Sequence, residues 1–146
     1  MQKIHIYGAY AGLVPFGLLS LLIVFGVYMD LPTDPLAAML LFYSGMIACF
    51  SAGKHWLPSM KNKDTRQAII ALAPSIICLL LFFVAFRWTP VPALIGTALV
   101  MGALYRADMI YLPEAKKTDG YPNFRLRLTA ISAGFLVISA LALMFD

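Results

Sequence analysis

Five apolar runs of about twenty residues, separated by short polar stretches, set the rhythm of this chain. The first extends from Ile6 to Tyr28 with no charged residue in it. A run of this length crosses a hydrocarbon core about 30 Å thick at about 1.5 Å per residue of helix. The pattern predicts helices over about 6–29, 35–57, 67–86, 91–112 and 124–145. The fold class is therefore all-α: a polytopic membrane protein, one domain over 1–146, built as a single bundle of five transmembrane helices. No internal repeat or low-complexity tract interrupts the series, and an odd number of helices argues against a simple inverted duplication.

The residues between and inside these runs sharpen the picture. Gly8 and Gly12 form a GxxxG pair, and Pro15 follows them. A proline there removes a backbone donor and kinks the helix, freeing the carbonyl of Ala11. Asp30-Leu-Pro-Thr-Asp34 reads as an acidic turn, with Asp34 as N-cap and Pro35 as first helical residue of the second helix. Asp64 or Thr65 is placed to cap the third helix, where Pro74 predicts a second kink. Arg87-Trp-Thr-Pro90 reads as a tight turn with Trp88 at the membrane interface. The stretch from Pro113 to Pro122 is the longest loop, with Glu114, Lys116, Lys117 and Asp119. Asn123 is expected to cap the fifth helix.

The second helix carries the strongest packing signal. Ser44, Ala48 and Ala52 recur every four residues, and so do Gly45, Cys49 and Gly53, which makes two adjacent ridges of small side chains. In lipid such ridges allow another helix backbone to approach closely and gain dispersion contacts. This helix is expected to be the packing hub. It ends in Lys54, His55, Trp56 and Pro58: a cation, a titratable ring, an amphipathic aromatic and a helix breaker.

Composition agrees with a membrane setting. Of the 146 residues 62% are hydrophobic and 12% charged, against roughly 25% charged in soluble domains. The net charge of +4 does not point to nucleic acid, because the cations flank apolar runs instead of forming one soluble basic face. Cys49 and Cys78 lie in apolar segments without a spacing partner and read as packing residues, not as a disulfide or metal pair. The first run is too long for a signal-peptide core and no small-residue cleavage site follows it, so it is expected to remain as a helix. Ten of the eleven Lys and Arg residues fall on one side of the predicted bundle, and only Arg87 is opposite. The positive-inside rule then puts the N-terminus in the cytoplasm and the C-terminus outside, in a bacterial inner membrane.

Candidate chemistry collects on the basic side. His5, Lys54, His55, Trp56, Tyr105, Arg106, Asp108, Tyr121, Arg125 and Arg127 all come from helix ends or the loop there. Cations, Trp and Tyr at helix ends are ordinary interfacial anchors, and that reading is the simpler one for Lys54, Trp56 and Arg106. His55 and Asp108 are not needed for anchoring. An acid near the inner end of the fourth helix should turn toward protein, and Arg125 or Arg127 is the nearest cation. The candidate ligand or partner site is therefore His55, Trp56, Asp108, Arg125, Arg127, Tyr105 and Lys54. A haem or metal held by His5 and His55 has no supporting acids nearby in sequence, and no metal or cofactor is expected. The chain has no nucleophile–base spacing, phosphate-binding glycine loop or ligand-spaced Cys/His motif. No carboxylate or cation lies near mid-membrane, which counts against a proton pump or ion-coupled transporter.

Several stretches together resemble a known family. They are GAYAGLVPF in the first helix, YSGMIACFSAGKHW in the second and LAPSIICLLLFF in the third, then ALYRADMIY and FRLRLTAISA in the fourth and fifth. In order and spacing they are similar to the family of domain of unknown function 3429, whose relatives include transmembrane protein 69 of mitochondria. The resemblance spans most of the chain and implies a bacterial or organellar inner-membrane protein with no assigned activity. Carried over residue by residue, it points to Pro15, Phe16, Gly53, His55, Trp56, Pro74, Ser75, Asp108, Arg127 and Thr129. Lys54 departs from the small or apolar residue more frequent there, and Phe124 stands near where a Trp-Tyr pair is common. The function expected from all this is a non-enzymatic accessory subunit or assembly factor. It would sit in the lipid bilayer with a membrane-protein partner or a second copy of itself, and without nucleic acid. The alternative is a binding or transport protein for an anionic lipid, quinone or small anion that uses the polar cluster.

Overall fold

The computed structural model describes residues 3–112 and 120–145, with side chains from residue 7 onward. The expected loop charges Glu114, Lys116, Lys117 and Asp119, the terminal Asp146 and the side chains of Lys3 and His5 lie outside the described residues. Seven helices are described: α1 Lys3–Ala11, α2 Val14–Tyr28, α3 Asp34–Gly53, α4 Trp56–Asn62, α5 Thr65–Arg87, α6 Pro90–Tyr111 and α7 Tyr121–Met144. Five helices are long and apolar enough to cross a membrane, as the hydropathy pattern predicts. One of these spans joins α3 to α4.

Two expected helices are interrupted. The first breaks at Gly12–Leu13, and Pro15 sits in the opening turn of α2, where its missing N–H is one of the donors that go unpaired anyway. The carbonyl at the break that gains a side-chain partner is that of Gly12, which accepts from the Tyr43 hydroxyl at 2.8 Å. The second helix does not end at Pro58. It turns at Lys54–His55, where the His55 N–H bonds back only three residues to the Ala52 carbonyl at 3.0 Å, and it resumes as α4 with Pro58 in the first turn. Lys63, in the left-handed region at φ 51°, closes α4. Asp64 then caps α5 by accepting from the Arg66 N–H at 2.9 Å. Pro74 lies inside α5, buried.

Two expected caps are displaced by one to three residues. Thr33 takes the cap position of α3, leaving Asp34 in the first turn, where a carboxylate favours the positive end of the helix. Gly120, at φ 76°, precedes α7, so Asn123 falls inside the helix. Pro122 explains the early start, because proline is pre-organised for an opening turn.

The bundle core is a circuit of four helices. α2 packs on α3, α3 on α6, α6 on α7, and α7 returns to α2. Phe16, Ile23, Leu40, Leu94 and Leu136 fill its centre from all four. α5 packs on α3 and α6 from outside and buries only Gln67, Ala71 and Pro74, all in its first half. α3 therefore shares the hub role with α6, each contacting three other helices. Buried hydroxyls tie α2 to α7: Ser139 donates to Ser20 at 2.9 Å and Ser20 to the Phe135 carbonyl at 3.1 Å. Where lipid is as apolar as leucine, such bonds add to the packing that holds helices together.

The small-residue ridges divide. Ser44, Gly45, Ala48 and Ala52 are buried, and a Cβ on Gly45 would stand 3.5 Å from the Cβ of Cys78 on α5. Cys49 is half-buried. Gly53 is exposed, and neither it nor Gly8 has a neighbour within 4 Å of a Cβ position. A Cβ on Gly12 would meet its own helix, at the Ala9 carbonyl oxygen, at 3.3 Å. Among the described residues no other helix stands against Gly8 or Gly53, and Gly12 meets α3 at the Tyr43 hydroxyl, 3.9 Å from a Cβ position.

Candidate functional site

The interrupted second span delivers two neighbouring side chains to one acid. In a regular helix consecutive residues point about 100° apart and cannot share a partner. At the Lys54–His55 turn both nevertheless reach Asp108 on α6, the lysine through its long flexible stem: Lys54 Nζ pairs with Oδ2, and His55 Nε2 lies 3.0 Å from Oδ1. Arg125, on the opening turns of α7, donates from Nε to Oδ2 at 2.9 Å. Asp108 and His55 are wholly buried, Arg125 is 15% exposed and Lys54 31%. One carboxylate therefore binds α3, the α3–α4 turn and α7 onto α6, with both oxygens taken.

The helix phases explain which residues meet. Buried positions on α6 follow the stripe Leu94, Thr97, Met101, Leu104 and Asp108, so the acid continues the core-facing line by one turn. On α7 the buried stripe is Thr129, Ser132, Leu136 and Ser139, and one turn before Thr129 comes Arg125. Arg127 lies off that line and is exposed. Arg127 is thus not in the cluster, contrary to its place in the expected site, while Lys54 belongs to it and does more than anchor. Trp56 is largely outside, at 48% exposure, and Tyr105 is half-buried to one side. Tyr121 is half-buried and lines a hollow together with Lys54 and Arg125.

Gln67 was not singled out by sequence reasoning. It is buried at the start of α5 and donates from Nε2 to the Tyr111 carbonyl at 3.2 Å, holding the end of α6. A polar residue three positions after a cap, at the head of an otherwise apolar helix, was its available signal. His55 Nδ1 and Gln67 Oε1 are the buried side-chain polar atoms that lack a partner among the described residues. Among these residues no group of three or more His, Cys, Asp or Glu side chains is arranged to hold a metal.

Chemically, the cluster is an acid saturated with donors. Both oxygens of its carboxylate already face donors, so the acid is engaged in joining helices. No curated protein and no solved structure matches the chain. A family model does, over residues 1–141. The chain belongs to the family of proteins of unknown function DUF3429.

Proposed function

We propose that this protein is a non-enzymatic accessory subunit or assembly factor of a larger complex in the bacterial inner membrane. The observation that carries this reading is the Asp108 cluster. Its one buried acid is fully engaged in joining helices, which is the use of charge expected of a scaffold and not of a reaction centre. In the second half of α5, Cys78, Leu81 and Ala85 pack on the bundle while Leu79, Leu80, Phe83 and Phe86 are exposed, so that outward face offers a lateral surface for a neighbouring membrane helix. The cation bias orients the chain with its N-terminus in the cytoplasm and its C-terminus outside. Purification of the tagged chain in a mild detergent, followed by mass analysis, tests the reading. A stoichiometric membrane-protein partner, lost when Leu79 and Phe83 on α5 are replaced by Ala, is the expected result. A monomer that carries no other polypeptide under those conditions would reject it.

The alternative, a binding protein for an anionic membrane molecule, is favoured by a specific feature of the same region: apolar hollows that reach Arg125 and Lys54.

A further inference from the structure

Two hollows of about 470 and 560 Å³ adjoin between α3 and α7 and share Phe50, Ser51, Arg125 and Leu128 in their walls. The first extends beneath α1, bounded by Gly8 and Gly12 on one side and by Ile47 and Ala48 on the other. The second reaches Lys54 and Tyr121. Both volumes fall in the range of about 300–1,000 Å³ typical of small-molecule sites. Together they form a trough that is apolar along its length and cationic at one end. The hydroxyl of Ser132 in its wall is already engaged by the carbonyls of Leu128 and Thr129.

The cationic end has unused capacity. Arg125 uses Nε for Asp108, and among the described residues its other guanidinium N–H groups have no hydrogen-bond partner. Among the described residues two cationic side chains, Lys54 and Arg125, face the single carboxylate of Asp108, so cations outnumber acids there. An uncompensated charge beside hydrocarbon is costly, so the site is complementary to one negative charge.

We propose that the trough binds one anionic phospholipid, with an acyl chain lying along α1, α3 and α7 and the phosphate held by Arg125 and Lys54. This rests on the second reading, a binding protein for an anionic membrane molecule, and names its ligand; it does not depend on the accessory-subunit reading. The fork of a guanidinium matches phosphate oxygens, and an ammonium beside it adds a second donor. A zwitterionic phospholipid brings its own cation along with its phosphate and leaves the excess charge in place. An anionic one cancels it. Phe50 borders both hollows and is 85% exposed, so the trough is open sideways and a lipid enters it without leaving the bilayer.

The test is native mass spectrometry of the full chain, exchanged into mild detergent and titrated with dioleoyl phosphatidylglycerol, dioleoyl phosphatidylcholine or oleate. One phosphatidylglycerol per chain should be retained at least about tenfold more tightly than phosphatidylcholine, the scale of one charge-assisted hydrogen bond. Lys54→Gln should reduce that preference while Asp108 keeps His55 and Arg125. Gly8→Leu should weaken retention of the lipid without touching the cluster, since a Cβ there meets nothing within 4 Å, and unchanged circular-dichroism melting should accompany it. If Lys54→Gln fails to fold, Gly8→Leu decides. Equal retention of the two phospholipids, displacement by an equal amount of oleate, or full retention by Gly8→Leu would overturn the proposal.

Discussion

A carboxylate enclosed in protein costs several kcal/mol unless donors surround it, and Asp108 has three, from Lys54, His55 and Arg125. Its two cations differ from Arg127, which lies on the same helix turn as Arg125 but faces outward. Arg125→Ala should therefore lower the thermal stability of the detergent-solubilised protein by about 1.5–3 kcal/mol, the scale of one hydrogen bond to a charged group, since Asp108 keeps Lys54 and His55. Arg127→Ala should change it by less than about 0.5 kcal/mol, as for an ordinary surface substitution. Equal effects in a melting experiment would mean that the two arginines share the acid. That Asp108 turns toward a cation follows from hydrocarbon alone, and the sequence shows it. Which arginine it meets depends on the phase of α7, and this too is written in the line Thr129, Ser132, Leu136 and Ser139 once small polar residues are counted as core. Lys54 stood in the expected site, but its pairing with Asp108 was not legible. Gly53 marks a weak point in the helix, yet a lone glycine does not fix how the chain turns at Lys54–His55 or where the long lysine side chain reaches.

At the scale of elements, the breaks matter more than the helices. Where the first span opens at Gly12–Leu13, the Tyr43 hydroxyl caps the Gly12 carbonyl and the Tyr43 ring packs edge-on against Phe16, with centroids 5.2 Å apart. Tyr43→Phe keeps the ring contact and removes the bond, so it should cost about 1 kcal/mol in a thermal unfolding series. Phe124 of α7 likewise packs edge-on against Tyr10 of α1 at 5.7 Å, fixing the segment beyond the break. On α3 the two ridges predict opposite outcomes. Ala48 is buried among other helices, and Ala48→Leu should destabilise by about 1–3 kcal/mol through overpacking. Gly53→Leu should be close to neutral, because the space about Gly53 is open. A destabilised Gly53→Leu with an unaffected Ala48→Leu would place the close packing on the wrong ridge. Pro15 and Pro58 were visible as interruptions, but their positions in opening turns were not, because a proline inside an apolar run looks the same whether the helix bends or restarts.

For the whole molecule, helix number and approximate bounds follow from hydropathy, since a backbone in lipid has few alternatives to a helix. The arrangement of those helices is less accessible. All five spans are apolar on every side, so sequence periodicity does not distinguish the circuit α2–α3–α6–α7 from α5 lying against it. The orientation in the membrane is a separate matter, and reporter fusions test it. Fusions near Lys63 should report the cytoplasm, and fusions near Thr89 and after Phe145 the outside. A C-terminal reporter in the cytoplasm would reject an odd number of crossings in that orientation.

The closure of that circuit also bears on how the chain is made. Within the circuit, α2 is made before the other three helices and packs against α7, made after them, and Asp108 receives its arginine only when α7 arrives. Until then α2 lacks a neighbour on one flank and an acid on α6 has only the donors of the α3–α4 turn. The earlier helices must be held close to the insertion site until α7 has arrived. A chain stopped in the segment before Gly120 would leave behind a half-paired acid at the membrane, the kind of flaw by which an unfinished protein can be told from a finished one.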